Sequence, residues 1–220
     1  MPLHTAPSEL TEALADWLET VDFSSGEALG NSNQGEVRRF RFKNLDLAIK
    51  APKGSGPAGW LSLQSLRREH RTYGRLNGLQ GFPRCHGLYH NRYLVLDYID
   101  GCGFRHAAPA NREAFFAQLL DSIQAMHDQG VAHGDLKRKD NLRVDREGKP
   151  FIIDLGTAVL RKPGSAPVNR ALFKFIAQTD LNAWVKLKHG RYHDLPAADQ
   201  ELLRRSWLER GLSRWWPGRR

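Results

Sequence analysis

His133-Gly134-Asp135-Leu136-Lys137, followed by Asn141 and then, past one strand, by Ile152-Ile153-Asp154-Leu155-Gly156, is the stretch that decides how this chain is read. It sets a carboxylate on a loop, an amide shortly after it, and a second carboxylate at the close of the next apolar strand. One carboxylate in such a set can orient a hydroxyl. The amide oxygen and the other carboxylate are hard oxygen donors of the kind that hold a small divalent cation. Phosphoryl transfer asks a protein mainly to position groups and to neutralise charge, and these residue types supply both.

Working outward, Leu47-Ala48-Ile49-Lys50 reads as a short strand that ends on a lysine, and Glu69 follows 19 residues later. Periodicity predicts a helix over 61–76. On it Leu66, Glu69 and Tyr73 fall on one side by the i, i+3, i+4 rule, so Glu69 would stand beside a packed stripe. Upstream lies Leu29-Gly30-Asn31-Ser32-Asn33-Gln34-Gly35-Glu36-Val37, rich in the residues that form tight turns. Downstream, the strand over 93–96 runs into Asp97-Tyr98-Ile99-Asp100-Gly101.

Taken in this order, the segments resemble the protein-kinase-like superfamily, in particular its minimal bacterial members, the Rio-type and lipopolysaccharide-core (Kdo/heptose) kinases. The resemblance implies an α+β class and a bilobal protein-kinase-like fold. Its N-lobe would be an antiparallel β-sheet with one central helix, and its C-lobe helical and truncated. It implies ATP and Mg2+ as cofactors, Asp135 as catalytic aspartate and Lys137 as the loop lysine. Asn141 and Asp154 would be the metal ligands. Lys50 would meet the phosphates, braced by Glu69. Gly30, Ser32 and Gly35 would form the phosphate-binding loop, with Ser32 where the middle glycine normally stands, and Val37 would pack on the base. Main-chain groups of Asp97, Tyr98 and Ile99 would meet adenine. At 4 Å each pair of unit charges repels by about 4 kcal/mol at an effective dielectric near 20; Mg2+, Lys50 and Lys137 would offset that repulsion while Asp135 aligns the acceptor hydroxyl.

The match has departures. Asn141 lies six residues after Asp135, one more than the family's spacing, and Asp140 sits at the usual distance, so Asp140 remains a possible ligand. Gly134 replaces an arginine and Leu155 a phenylalanine. Asp180 is read in two ways: as a support for the catalytic loop, or as an acid at the start of a helix, favoured by the helix dipole. The acceptor implied is either a protein Ser/Thr hydroxyl or a lipopolysaccharide-core sugar. Two alternatives stand beside these, a nucleotide-binding pseudokinase and a small-molecule phosphotransferase of the aminoglycoside or choline kind.

The chain divides by pattern into an N-terminal arm and helix (1–20), a β-rich half with one helix (21–98), and a mostly helical half (99–220). Ser8 is expected to cap the first helix, with Leu10, Leu14, Trp17 and Leu18 on its inner side. Residues 51–59 read as a flexible connector. Asn111 should cap a helix whose core stripe is Phe116, Leu119, Leu120, Ile123 and Met126, and Gly130 should end it. Helices are also expected over 172–188 and 200–212.

In 220 residues, 40% are hydrophobic and 26% charged, a globular balance that excludes a wholly disordered chain. No apolar run approaches the roughly 18 residues that cross a bilayer. Cys85 and Cys102 are the only cysteines, so no disulfide framework is expected and a reducing cytoplasm is the simplest setting. Thirty-three Lys and Arg against 24 Asp and Glu leave +9, which favours anionic partners without locating them. Residues 201–220 hold six Arg and two Glu, together with Trp207, Trp215 and Trp216. That mixture suits peripheral contact with an anionic membrane, at the inner face if the protein is cytoplasmic. No reader motif for nucleic acid accompanies it, and nucleic acid is not expected as a partner.

Overall fold

The structure is a computed structural model that describes residues 7–32, 35–164 and 166–204. Its described residues fall into two compact units, one of those up to Asp100 with Asp154–Gly156 and the other of Gly101–Ile153 with those from Thr157 on.

In the first unit, helix α1 (Pro7–Thr20) precedes strands β1 (Glu27–Ser32), β2 (Gly35–Phe42) and β3 (Leu45–Ala51). Helix α2 (Gly56–Leu76) follows, then β4 (Cys85–Tyr89) and β5 (Tyr93–Asp97). The strands make one antiparallel sheet in the order β1-β2-β3-β5-β4. Side chains alternate across a strand. Phe40 and Phe42 of β2, Leu47, Ile49 and Ala51 of β3, and Tyr93 and Val95 of β5 therefore share one face and bury Leu14 and Leu18 of α1. Trp17 meets Phe40 edge-on at 5.6 Å between ring centres. The same alternation turns Lys50, between Ile49 and Ala51, to the other face, in register with Val37 and Leu94.

That second face takes α2, whose buried side is Leu66, Glu69, Thr72, Tyr73 and Leu76. The helix begins five residues before the expected start at Leu61. Pro57 in its first turn lacks only an N–H that would have had no partner there, so part of the Gly/Pro-rich connector is helix. Similarly α1 starts at Pro7, which puts Ser8 inside the helix and not at its cap.

The second unit holds β6 (Gly101–Gly103), α3 (Arg112–Asp128), β7 (Val131–Ala132), β8 (Leu142–Asp145), β9 (Pro150–Ile152), β10 (Val159–Leu160), α4 (Pro167–His189) and α5 (Ala197–Leu202). Asn111 caps α3 by accepting from Ala114 N–H at 2.9 Å, and Gly130, with φ +70°, turns the chain after it. The stripe of α3 is Phe115, Phe116, Leu119, Ile123 and Met126; Leu120 is only half-buried. Trp184 of α4 packs edge-on to Phe116 and donates its indole N–H to the Phe116 carbonyl at 2.8 Å. Helix α4 starts at Pro167, five residues before the expectation, and α5 starts three residues before its own. Helix α5 ends at Leu202, short of the expected 212, with Leu203 closing it by an N–H bond to the Gln200 carbonyl; residues 205–212 of the expectation, and Trp207, Trp215 and Trp216, lie outside the described residues. No described helix is long and apolar enough to cross a membrane. The architecture is α+β and protein-kinase-like, with an antiparallel sheet and its central helix.

Candidate active site

Strand β3 and helix α2 bring Lys50 and Glu69 together inside the first unit. Lys50 Nζ donates to Glu69 Oε2 at 2.7 Å and to Asp154 Oδ1 at 2.9 Å. The lysine and glutamate side chains are 5% and 1% exposed, while Asp154 keeps 31% of its own open. A charge that deep is tolerated only when paired and hydrogen-bonded. Burial on its own would lower the Lys50 pKa; Glu69 first and then Asp154 outweigh it and leave it raised above the ordinary value. A raised lysine contributes stability in full below its unfolded pKa and loses it as pH climbs through the folded one. Lys50→Met should therefore be less stable than the wild type near neutrality. Urea midpoints from about pH 9 to about pH 12 should show that difference shrinking, since lysine titrates near 10.4; a constant difference would contradict it.

Asp154 differs from its expected setting. The apolar strand ends at Ile152, not at Asp154, and Asp154 has φ +60°, a left-handed conformation that few residues other than glycine adopt. The backbone thus leaves the strand before the carboxylate is presented to Lys50. Gly35, at the start of β2, is the glycine the local packing demands, since a Cβ there would run into the Ala51 carbonyl. Gly30 lies in β1, Val37 is half-buried on β2, and Ser32 ends β1. At the end of β5, Asp97 N–H donates to Arg84 O and Tyr98 N–H to Asp46 O, both at 2.9 Å. These two donors are already used within the sheet, so the expected role of the Asp97 and Tyr98 N–H groups toward adenine is not met as they stand. The Asp97 carboxylate bonds His86 Nε2 at 2.7 Å, and Arg39 stacks over the Tyr98 ring at 4.1 Å.

In the second unit, the loop after β7 carries Asp135 half-buried and Lys137 exposed. Asn141, 4% exposed, donates Nδ2–H to the Asp135 main-chain oxygen at 2.9 Å and lies 3.4 Å from Asp135 Oδ2. With its amide hydrogens turned to Asp135, the Asn141 amide oxygen is directed elsewhere. Asp140 instead forms a two-point pair with Arg105 at 2.7 and 3.2 Å on the surface, which holds its carboxyl below the usual range. Of the two candidates, Asn141 is the one brought to Asp135.

Three residues that the sequence reading left without a firm role hold this loop. His133 is fully buried; Nδ1 accepts from Asp135 N–H at 3.2 Å and Nε2 meets the Ile153 carbonyl at 3.0 Å, so the ring is used at both ends. Asp180 does not open a helix. It stands inside α4, 1% exposed, and accepts from His133 N–H at 2.7 Å, Gly134 N–H at 2.9 Å and His127 Nε2 at 3.1 Å. The dipole reading of Asp180 is therefore replaced by the buttress reading. Gly134, with φ +83°, lets both neighbouring N–H groups face that carboxylate.

Among the described residues no cluster of three or more His, Cys, Asp or Glu side chains could hold a metal alone. The carboxylate of Asp154 and the amide oxygen of Asn141 are each, taken singly, the hard oxygen donor that Mg2+ accepts.

No family model matches the chain. Its sequence is similar to protein kinases. Sperm motility kinase 2B of Mus musculus is 37% identical over 79 residues, which cover 33% of this chain and 16% of that protein. CBL-interacting protein kinase 1 of Oryza sativa subsp. japonica is 30% identical over 150 residues, 63% of this chain and 32% of that protein. CBL-interacting protein kinase 17 of the same plant is 28% identical over 150 residues, 63% of this chain and 33% of its own length. The chain thus spans about a third or less of the length of these relatives, and none of the three is a Rio-type or lipopolysaccharide-core kinase. The fold is protein-kinase-like, and the relatives it matches are protein kinases.

Proposed function

We propose that this chain is an ATP- and Mg2+-dependent phosphotransferase of the protein-kinase kind, with the Ser or Thr hydroxyl of a polypeptide as acceptor. The observation that carries this is the buried Lys50 held by Glu69 and Asp154. An ammonium kept charged and oriented at such depth is a costly arrangement for structure alone, and it is suited to phosphate oxygens. Mg2+, held by Asp154 and Asn141, would neutralise phosphate charge. Lys50 draws the phosphates into register. Asp135 accepts a hydrogen bond from the acceptor hydroxyl, aligns it, and receives its proton. Lys137 offsets charge on the transferred group, and the Ile99 N–H with nearby carbonyls would read the base.

The acceptor is favoured to be a macromolecule by helix α4. One turn from Gly134, where Ile176 approaches, it exposes Val168, Leu172 and Phe175 at i, i+4 and i+7. A row of three apolar side chains on one helical face suits an extended partner more than a small solute. γ-Labelled ATP offered with the protein to a whole-cell lysate, with polypeptide and glycolipid then separated, tests the acceptor. Label in polypeptide that disappears with Asp135→Asn is expected; label confined to glycolipid would transfer the proposal to a lipopolysaccharide-like sugar, and none in either would favour a pseudokinase.

Asn141→Ala should raise the Mg2+ concentration needed for half-maximal transfer at least ~10-fold, as losing a ligand or its direct support usually does. Asp140→Ala, which breaks only a surface pair with Arg105, should stay within about threefold. A magnesium titration of both variants separates them, and the reverse order would exchange their roles.

A further inference from the structure

One strongly basic stretch of the chain lies around helix α2. From Leu47 to Leu96 there are eight Lys and Arg and a single acid, Glu69. That acid faces inward, held by Lys50. At 100° per residue, Arg67, Arg68, Arg71 and Arg75 fall in one outward arc of α2, opposite the buried Leu66, Glu69 and Tyr73. Arg68, Arg71 and Arg75 are exposed. At the N-terminal end of the same arc stand Trp60 and Leu61, 60% and 62% exposed. His90 and Arg92 of the β4–β5 turn flank Trp60 across a shallow groove of about 400 Å³.

We infer that the outward face of α2 docks this protein on a bilayer surface that carries anionic lipid headgroups. The helix is 21 residues long, about 30 Å at 1.5 Å per residue, and its face is convex. A convex, positive face of that length cannot enclose a small anion, whereas a fluid, flat surface conforms to it. The aromatic and aliphatic pair at one end fits the interfacial layer, where tryptophan is favoured, and the arginines behind it fit the phosphate plane. Nucleic acid fits less well, because Leu61 offers no stacking platform and a single exposed ring makes no series of them. The surface is separate from the site proposed above, and its occupation is read without nucleotide, so failure of one leaves the other standing.

Co-sedimentation of the full-length protein with vesicles tests it, comparing pure phosphatidylcholine with vesicles that hold about 30% phosphatidylglycerol. The wild type should partition to the anionic vesicles only, and should leave them as salt rises from about 0.1 to about 0.5 M. The combined variant Arg68→Gln, Arg71→Gln, Arg75→Gln should bind at least ~10-fold more weakly, and Trp60→Ala should also lose affinity. Glutamine keeps helix propensity, and the three single variants, each weaker than wild type, decide the matter if the combined one fails to fold. Equal partition to neutral vesicles, or α2 variants that bind like the wild type while Trp215→Ala with Trp216→Ala abolishes binding, would overturn the inference. So would release from anionic vesicles by an oligonucleotide at matched charge, which would reassign the face to nucleic acid.

Discussion

Asp135→Asn should keep its fold and lose at least ~10²-fold of its phosphoryl-transfer rate, the usual cost of removing a positioned base. The exchange is nearly isosteric. The strongest tie of the residue to its surroundings is the bond from Asn141 Nδ2 to the Asp135 main-chain oxygen, which the substitution leaves in place. The side-chain contacts that change are the long ones, 3.4 Å to Asn141 and 3.8 Å to Arg138, on a carboxylate one-third exposed. Surface substitutions of this sort move stability by no more than about 0.5 kcal/mol. The amide can still accept from a hydroxyl but cannot take its proton at neutral pH. Initial rates alongside thermal melts check both halves. A rate within about threefold of wild type would remove Asp135 from the chemistry, and a large fall in melting temperature would show that the loop depends on its charge.

The second large effect is expected at Asp180, where Asn should cost about 2–4 kcal/mol of stability. Three donors converge on this carboxylate, two of them backbone N–H groups of the loop that carries Asp135. A carboxylate accepts all three; an amide offers one oxygen and turns two hydrogens of its own toward a donor. With the site 1% exposed, water cannot make up the difference. Urea unfolding should show a lower midpoint at an unchanged slope, and kcat should fall because His133 and Gly134 lose the anchor that orients Asp135. A midpoint equal to wild type would mean that the three donors find other acceptors.

Much of this was legible in the chain before any coordinates, and the reasons differ from residue to residue. Strands β3 and β5 were legible as short apolar runs, Leu47–Ile49 and Tyr93–Leu96, and the two-residue repeat of a strand turns Lys50 away from Ile49 and Ala51. The side of α2 that carries Glu69 followed from helical spacing. What failed were features governed by contacts distant in sequence or by a single backbone torsion. Pro57 looked like a connector residue because a proline at a helix start and one in a linker read alike without the helix that follows. Nothing in Phe151-Ile152-Ile153-Asp154 marks the point where the strand stops and Asp154 turns left-handed. Asp180 lies 46 residues beyond Gly134, and no local pattern links an acid inside α4 to a loop that far upstream. His133 resisted assignment for a similar reason, since its two partners, Asp135 N–H and Ile153 O, are defined only once β9 is in place. Charge followed the same rule: the basic stretch around α2 became a face only once the helix turned its one acid, Glu69, inward.

Turnover of ATP by the purified full-length chain, with and without Mg2+, probes the core of this reading most directly, because it asks whether Lys50, Asp135 and Asp154 serve one nucleotide. The wild type should consume ATP only with Mg2+. Lys50→Met, Asp135→Asn and Asp154→Ala should each fall at least ~10²-fold while remaining folded. Turnover indifferent to Mg2+, or equal in the wild type and the three variants, would contradict it.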